Sequence, residues 1–275
     1  MKKFAVIRNT GLAKNCEALL QLENLSRKYD ISVRTLEDGE LPSPDTDIVL
    51  VLGGDGTMLR AAKAILDTGI PLLGINLGTL GYLAEVPKEE IDQALDNLAH
   101  GNYYIENRML LHGTVIKNGK VIAKGHALND IVVSRTGLLR AYSLPLYVNG
   151  SLLNTFTADG IIASTATGST GYSLSAGGPV VSPSAEIILI TPLASHSLIS
   201  RSIILPGTDE IRIEAGEGRT GYVHDVCSLL IDGNPGILLS TGDSVIIKKS
   251  DRVVGFVKIS SMSFLDVLRK KMAET

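Results

Sequence analysis

One stretch constrains this chain more than any other: Ile48 to Leu52 is a continuous apolar run, and Gly53-Gly54-Asp55-Gly56-Thr57 follows it directly. Such a run reads as a strand buried on both faces of a parallel sheet. Met58, Leu59, Ala62, Ile65 and Leu66 then recur at helical spacing. An Asp-Gly pair is also common in hairpin turns, but a hairpin needs a strand on both sides, and here a strand feeds a helix. In open α/β sheets, ligands bind at the carboxyl ends of strands. Glycine there lets backbone N–H groups approach phosphate oxygens that a Cβ would hold off, and the following helix N-terminus favours an anion. Gly53, Gly54, Gly56 and Thr57 are therefore expected to cradle phosphate. Asp55 is the odd member, because a carboxylate beside phosphate is repulsive unless it binds a metal or takes a proton.

The flanking sequence sets the fold class. Lys3–Ile7, Ile31–Leu36 and Pro71–Ile75 read as further strands, with helices over Ala13–Tyr29 and Lys88–Leu98. This alternation predicts an α/β N-terminal domain with an open, mostly parallel sheet over residues 1–100. Beyond it strands follow one another: Leu110–Ile116, Val121–Ala127, Ile131–Ser134, Ser143–Val148, Leu152–Thr157, Ile187–Ile190, Glu210–Ala215, Ser228–Ile231, Ser244–Lys248 and Val253–Lys258. Asn118-Gly119 and Asn149-Gly150 are two-residue hairpin signals. A β-rich domain is expected over 101–258. A C-terminal helix within 259–275, with Ser263 as its N-cap, is expected to pack back on the N-terminal domain.

Composition narrows the function. The 26 Lys and Arg against 29 Asp and Glu give a net charge of −3, which offers no basic field for nucleic acid or anionic lipid. Aromatics are 4% with no Trp, which argues against a base-stacking surface. The apolar stretch Phe4–Ile7 is too short for a signal peptide, no run approaches a membrane span, and Cys16 and Cys227 sit far apart with no CxxC and no His partner at metal spacing; the two could pair, but nothing else suggests secretion. A soluble cytoplasmic protein is expected, with no nucleic-acid or membrane partner. Glycine is enriched, 28 of 275 residues against a usual ~7%, as close approach of ligand to backbone requires.

Other segments carry weaker signals. Asp159-Gly160 leads through Ile161-Ile162 into the small-residue loop Ala163–Gly171 and the patterned Tyr172, Leu174 and Ala176, which read as strand, loop and short helix. Its hydroxyls and bare amides suit ribose, phosphate or a carboxamide. Asn129-Asp130 is a polar pair inside a strand pattern, a local inconsistency of the kind found at functional sites; a β-bulge or turn accounts for the spacing equally well. Asp232-Gly233-Asn234-Pro235 reads as a turn, and His196 as a structural histidine. Gly216 to Gly221 matches GxGxxG, but a strand rather than a helix is expected after it. Gly113 to Lys120 has the wrong length and ending for a P-loop. No cluster of metal ligands is present in the sequence.

Taken together these segments resemble the NAD kinase family. Gly53-Gly54-Asp55-Gly56-Thr57 resembles its GGDGT signature, Asn129-Asp130 its Asn-Glu/Asp pair, and Asp159-Gly160 with Thr167-Gly168-Ser169-Thr170-Gly171-Tyr172 its third block. Gly78-Thr79-Leu80-Gly81-Tyr82-Leu83, Thr191-Pro192-Leu193 with His196-Ser197 and Arg201, and Ile231-Asp232-Gly233 match further, in the family's order. GGDGT alone is shared with lipid kinases of the diacylglycerol and sphingosine type; the later blocks make the match specific. The chain departs from the family pattern at Ala166, where Pro is usual, at Gly171, where Ala is usual, and at Thr157, where a basic residue is frequent.

The resemblance implies phosphoryl transfer from ATP or polyphosphate to the adenosine ribose 2′-hydroxyl of NAD, giving NADP. By analogy the N-terminal domain takes the donor and the β-rich domain takes NAD. Asp55 accepts the 2′-hydroxyl proton as catalytic residue; Gly53, Gly54, Gly56 and Thr57 face the donor. Asn129 and Asp130 hold a ribose, Thr170, Gly171, Tyr172 and Ser175 line the NAD pocket, and Arg60 and Arg140 meet the pyrophosphate. Asp159 contacts the nicotinamide end, from its own subunit or a neighbouring one. A divalent cation, Mg²⁺ or Mn²⁺, accompanies the donor without a protein cage of its own. A homodimer or homotetramer is implied. The rival readings are a lipid kinase and a non-catalytic dinucleotide sensor.

Overall fold

The computed structural model describes residues 1–8, 13–78, 81–136, 142–195, 201–216, 226–259 and 263–273. The chain divides into two compact units, Met1–Arg108 together with Val253–Thr275, and Met109–Arg252.

The first unit contains β1 (Lys2–Arg8), α1 (Ala13–Lys28), β2 (Ile31–Thr35), β3 (Ile48–Leu52), α2 (Asp55–Ile65), β4 (Leu72–Asn76), β5 (Val86–Pro87) and α3 (Ile91–His100). The strands pair in parallel in the order β2-β1-β3-β4, with β5 also on β4. Every residue of β3 is at most 1% exposed, as its unbroken apolar run requires. Ile48, Leu50 and Leu52 share a core with Ala18 and Leu22 of α1 and Ile91, Ala94, Leu95 and Leu98 of α3. The α3 residues fall at the i, i+3, i+4, i+7 spacing of one helical face. Val49 and Val51 point to the opposite face, and α2 packs on β3 and β4 through its buried Met58, Ala61, Ala62 and Ile65. Burial on both faces thus delivers the chain, at the C-terminal end of β3, straight into the glycine loop.

The second unit is built from antiparallel strands, the first and last of which each have one end in the first unit. In chain order they are β6 (Tyr104–Lys117), β7 (Lys120–Ala127), β8 (Asp130–Arg135), β9 (Tyr142–Val148), β10 (Ser151–Ala158), β11 (Gly160–Ser164), β12 (Ile187–Leu193), β13 (Ile203–Pro206), β14 (Ile211–Glu214), β15 (Val226–Ile231), β16 (Asn234–Ser240) and β17 (Ser244–Lys258), with a short helix α4 (Tyr172–Ser175) after β11. One sheet has the order β13-β12-β11-β8-β15-β16. Alternate residues of β9, β10, β14 and β17 (Leu144, Leu146, Phe156, Ala158, Ile211, Ile213, Val245, Ile247) share one core with Ile131, Val133, Ile161, Ala163, Ile188, Ile190 and Leu229 of that sheet. This is the period-two burial of two facing sheets. The Asn118-Gly119 and Asn149-Gly150 turns both have positive φ at each residue, 49° and 71°, and 50° and 80°, as a type I′ hairpin demands.

Two features differ from the sequence reading. Ser244–Lys248 and Val253–Lys258 are one strand, β17, which runs through the polar residues between them, where Ser250 Oγ lies 3.0 Å from the ring of His126 on β7. Strands β5, β13 and β16 were not expected. Residues 217–225, which hold most of the GxGxxG match, lie outside the described residues.

The last helix, α5 (Phe264–Ala273), belongs to the first unit. Ser263 caps it: its Oγ accepts the Asp266 N–H at 3.2 Å, and its own N–H donates to Asp266 Oδ2 at 3.0 Å, a reciprocal box. Phe264 sets its ring 6.2 Å from that of Tyr82. Among the described residues no helix is long and apolar enough to cross a membrane.

Candidate active site

The first cluster lies in the first unit. Gly53 leaves β3 with its N–H on the Ile75 carbonyl at 3.0 Å, and Gly54 precedes α2, whose first turn closes through Thr57 N–H and Met58 N–H on the Gly54 carbonyl. The amides of a first helical turn lack intrahelical acceptors, so the loop presents backbone donors where the helix dipole is positive. Gly54 and Gly56 are exposed, while Thr57 is buried and takes a hydrogen bond from Arg60 Nη2 on its Oγ1 at 3.2 Å. The rest of the exposed Arg60 side chain is available to an anion at the start of the helix.

Asp55 is held from outside its own loop. Its Oδ2 accepts the Tyr82 N–H at 2.9 Å and its Oδ1 the Leu83 N–H at 3.0 Å. A Cβ on Gly81 would fall 2.0 Å from Asp55 Oδ1, so residue 81 has to be glycine for the carboxylate to reach those amides. Burial, and then the Asp55 carboxylate, push the Tyr82 hydroxyl above its ordinary pKa. Lys271 of α5 lies 5.2 Å from the centre of the same ring. Thr79 and Leu80 lie outside the described residues.

The second cluster lies in the second unit, where β7 ends and β8 begins. Asn129 bends the chain, and Asp130 opens β8 with 6% exposure. The Asn129 carbonyl accepts the Thr165 N–H at 2.9 Å, and Thr165 Oγ1 donates to the Leu128 carbonyl at 2.6 Å. A Cβ on Gly168 would stand 2.2 Å from the Asn129 carbonyl oxygen, which explains a glycine in that loop. The small-residue segment folds as a 3₁₀ turn over Thr167–Thr170 followed by α4. A Cβ on Gly171 would stand 3.3 Å from Asn129 Nδ2. Asn129, Thr170, Gly171 and Tyr172 are thus brought together, Tyr172 half exposed, with Ser175 exposed on the same short helix. Asn129 Oδ1 is buried without a hydrogen-bond partner.

Sequence reasoning missed one member of this cluster. Asp232 reads as a turn residue and is one, at φ 47°. Its carboxylate, however, accepts three consecutive amides: Leu128 N–H at 2.7 Å, Asn129 N–H at 2.8 Å and Asp130 N–H at 3.0 Å. Burial, together with the nearby Asp232 charge, pushes the Asp130 carboxyl up to about 7. No signal in the sequence joins residues 232 and 128–130 except their presence in separate blocks of the resemblance.

Asp159 is elsewhere. It pairs with Arg135 through Nε to Oδ1 at 2.7 Å and Nη2 to Oδ2 at 3.0 Å, a fork-to-fork arrangement. On the β8–β11 ladder Ser164 faces Asp130, and Gly160 faces Ser134. Asp159 and Asp130 therefore sit at opposite ends of the strand pair, roughly 17 Å apart at ~3.4 Å per residue. Arg140, His196 and Ser197 lie outside the described residues.

The model of the ATP-NAD kinase N-terminal domain matches residues 14–103, and that of the C-terminal domain matches residues 128–259. The NAD kinase of Agathobacter rectalis is 42% identical, covering 99% of this chain and 99% of that protein. The NAD kinase of Lachnospira eligens is 40% identical over 94% of this chain and 91% of that protein. Among solved structures, yeast NADH kinase complexed with NADH superposes with a TM-score of 0.85 at 25% identity, over 99% of this chain and 88% of that one. An NAD kinase from Archaeoglobus fulgidus in complex with ATP shares the fold, with a TM-score of 0.79 at 23% identity over 99% of both chains.

Proposed function

This chain belongs to the NAD kinase family and is a phosphotransferase acting on NAD, and we propose that Asp55 is the base of its reaction. The observation that carries this reading is the pair of hydrogen bonds from Tyr82 and Leu83, which aim the Asp55 carboxylate at the mouth of a glycine loop on a helix N-terminus. In the proposed step the adenosine ribose 2′-oxygen attacks the terminal phosphorus of ATP, the bond to the bridging oxygen breaks, and ADP leaves. The hydroxyl proton passes to Asp55. Phosphoryl transfer asks mainly for positioning and charge neutralisation. A base within hydrogen-bond reach of the hydroxyl contributes typically ~10²–10⁴-fold.

The loop of Gly53, Gly54, Gly56 and Thr57 would take the donor phosphates, with Arg60 and Arg140 on pyrophosphate. Asn129 and Asp130 would hold a ribose, with Thr170, Gly171, Tyr172 and Ser175 around the rest of NAD. Asn129 Oδ1, buried and unpartnered, is an acceptor waiting for such a hydroxyl. Magnesium or manganese would arrive on the donor: Mg²⁺ keeps several waters and is bound largely by substrate phosphates. That suits a loop whose carboxylate is already engaged by two amides. Asp159, at the far end of β8 from Asp130, fits a contact to the nicotinamide end made in a homodimer or homotetramer rather than within one subunit.

The test is NADP formation by the purified protein from NAD, ATP and Mg²⁺, read with an NADP-specific dehydrogenase. Turnover is expected with ATP. Turnover with polyphosphate alone would change the donor, and none with either would overturn the reading. Light scattering checks the assembly, and a monodisperse monomer would contradict it.

A further inference from the structure

We infer that Asp232 is the positioning residue that sets the Asn129-Asp130 pair for NAD, an inference that rests on the reading of that pair as the ribose contact. Three successive amides, those of Leu128, Asn129 and Asp130, converge on its two carboxylate oxygens. The Asp232 N–H returns the contact, donating to the Asp130 carbonyl at 3.0 Å. The carboxylate reaches them from a turn in which Asp232 and Gly233 both have positive φ, 47° and 69°. That conformation is uncommon for a residue with a Cβ, though aspartate is among those that tolerate it best. On its other edge the same tripeptide is held by Thr165 through the Leu128 and Asn129 carbonyls. A segment fixed on both edges leaves the Asn129 and Asp130 side chains little freedom, which is the preorganisation that recognition of a ribose needs.

The same contact sets the charge of the pair. Three N–H donors fix the Asp232 carboxylate next to the segment that carries Asp130, and burial together with the Asp232 charge raises the Asp130 pKa. Of the groups beside Asp130, Ser164 on β11 is uncharged and Asp232 at the end of β15 carries the charge. A ribose hydroxyl donates more strongly to an ionised Asp130 than to a protonated one, so affinity for NAD rises as pH climbs through about 7. Neutralising residue 232 moves that dependence to lower pH.

The experiment is steady-state kinetics of the wild type, Asp232→Asn and Asn129→Ala between roughly pH 5 and 9. In Asp232→Asn the KM for NAD is expected to rise ~10-fold or more, as loss of a ribose hydrogen bond does, while KM for ATP and kcat stay within about threefold. The acid limb of kcat/KM for NAD is expected to move to lower pH. An unchanged KM for NAD in Asp232→Asn, with a raised one in Asn129→Ala, would overturn the inference and leave the ribose reading standing. An unchanged KM in both would overturn the ribose reading itself. Equal rises in both substrates' KM with an unmoved acid limb would reduce Asp232 to general scaffolding and overturn the inference. Should Asp232→Asn not fold, Asp232→Glu keeps the charge but displaces the acceptors by a methylene. A raised KM for NAD with the acid limb in place is expected there, and an unchanged KM would overturn the inference.

Discussion

Asp55 in the first unit and Asp232 in the second both use a carboxylate to gather backbone amides from a distant segment. Asp55 takes two, from Tyr82 and Leu83; Asp232 takes three, from Leu128, Asn129 and Asp130. In the first unit the gathered amides orient the acid, which is itself the proposed chemical group. In the second the acid orients the amides, and the side chains carried by those amides are the proposed contacts. The same bonding pattern therefore serves the proposed catalytic group in one place and the proposed positioning residue in the other. What separates them is which end of the hydrogen bond faces the ligand.

Substitutions at Gly81, Tyr172 and Asp130 sharpen that contrast. The largest effect is expected from Gly81→Ala, since its Cβ would lie 2.0 Å from Asp55 Oδ1. The carboxylate must move, and a displacement of about 1 Å at a reacting group is worth ~10²-fold in kcat. Rapid-quench or steady-state turnover at saturating NAD and ATP checks it; wild-type kcat would mean the Tyr82 and Leu83 amides are not what aims Asp55. Tyr172→Ala comes next, with KM for NAD expected to rise ~10-fold, in line with loss of an aromatic contact, and KM for ATP nearly unchanged. The opposite split would exchange the two substrate assignments.

The smallest effect is on stability. Asp130 titrates near 7 in the folded chain against an ordinary value of 3.8, so the fold binds a proton that the unfolded chain has released between those values. Its contribution is present below about 4 and is lost as pH rises through 7. Asp130→Asn removes this loss, and thermal melts are expected to show it a few degrees more stable than wild type near pH 8. The difference should shrink as pH falls from 7 toward 4. A constant difference across that range would mean that Asp130 does not hold the proton in the folded chain.

The two regions also differ in how far the sequence disclosed them. The strand before the glycine loop is read to the residue, because five apolar positions in a row have no exposed face to place. The residues that aim Asp55 were visible only as part of a block, since nothing local says that Gly81 is small to admit a carboxylate. Asn129-Asp130 was legible as a local inconsistency but not as a site. The residue that organises it lies 102 to 104 positions away, and its reach depends on the left-handed backbone of a turn. Polar residues within β17 concealed its continuity for a related reason: Ser250 looks like a break until the His126 ring, 3.0 Å from its hydroxyl, is in view. Local pattern carries strands and helices whose burial is uniform, and it fails where a single long-range hydrogen bond decides.

The central claim is that Asp55 acts on the proton rather than on binding. Turnover and NAD affinity measured together in Asp55→Asn test it most directly, with calorimetric titration of NAD beside the NADP-forming assay. The amide can still accept from one of the two backbone N–H groups, so the variant is expected to fold and to bind NAD within about threefold of wild type, while kcat falls by ~10²–10⁴. Turnover near the wild-type level, or a loss of NAD binding large enough to account for the lost rate, would contradict it.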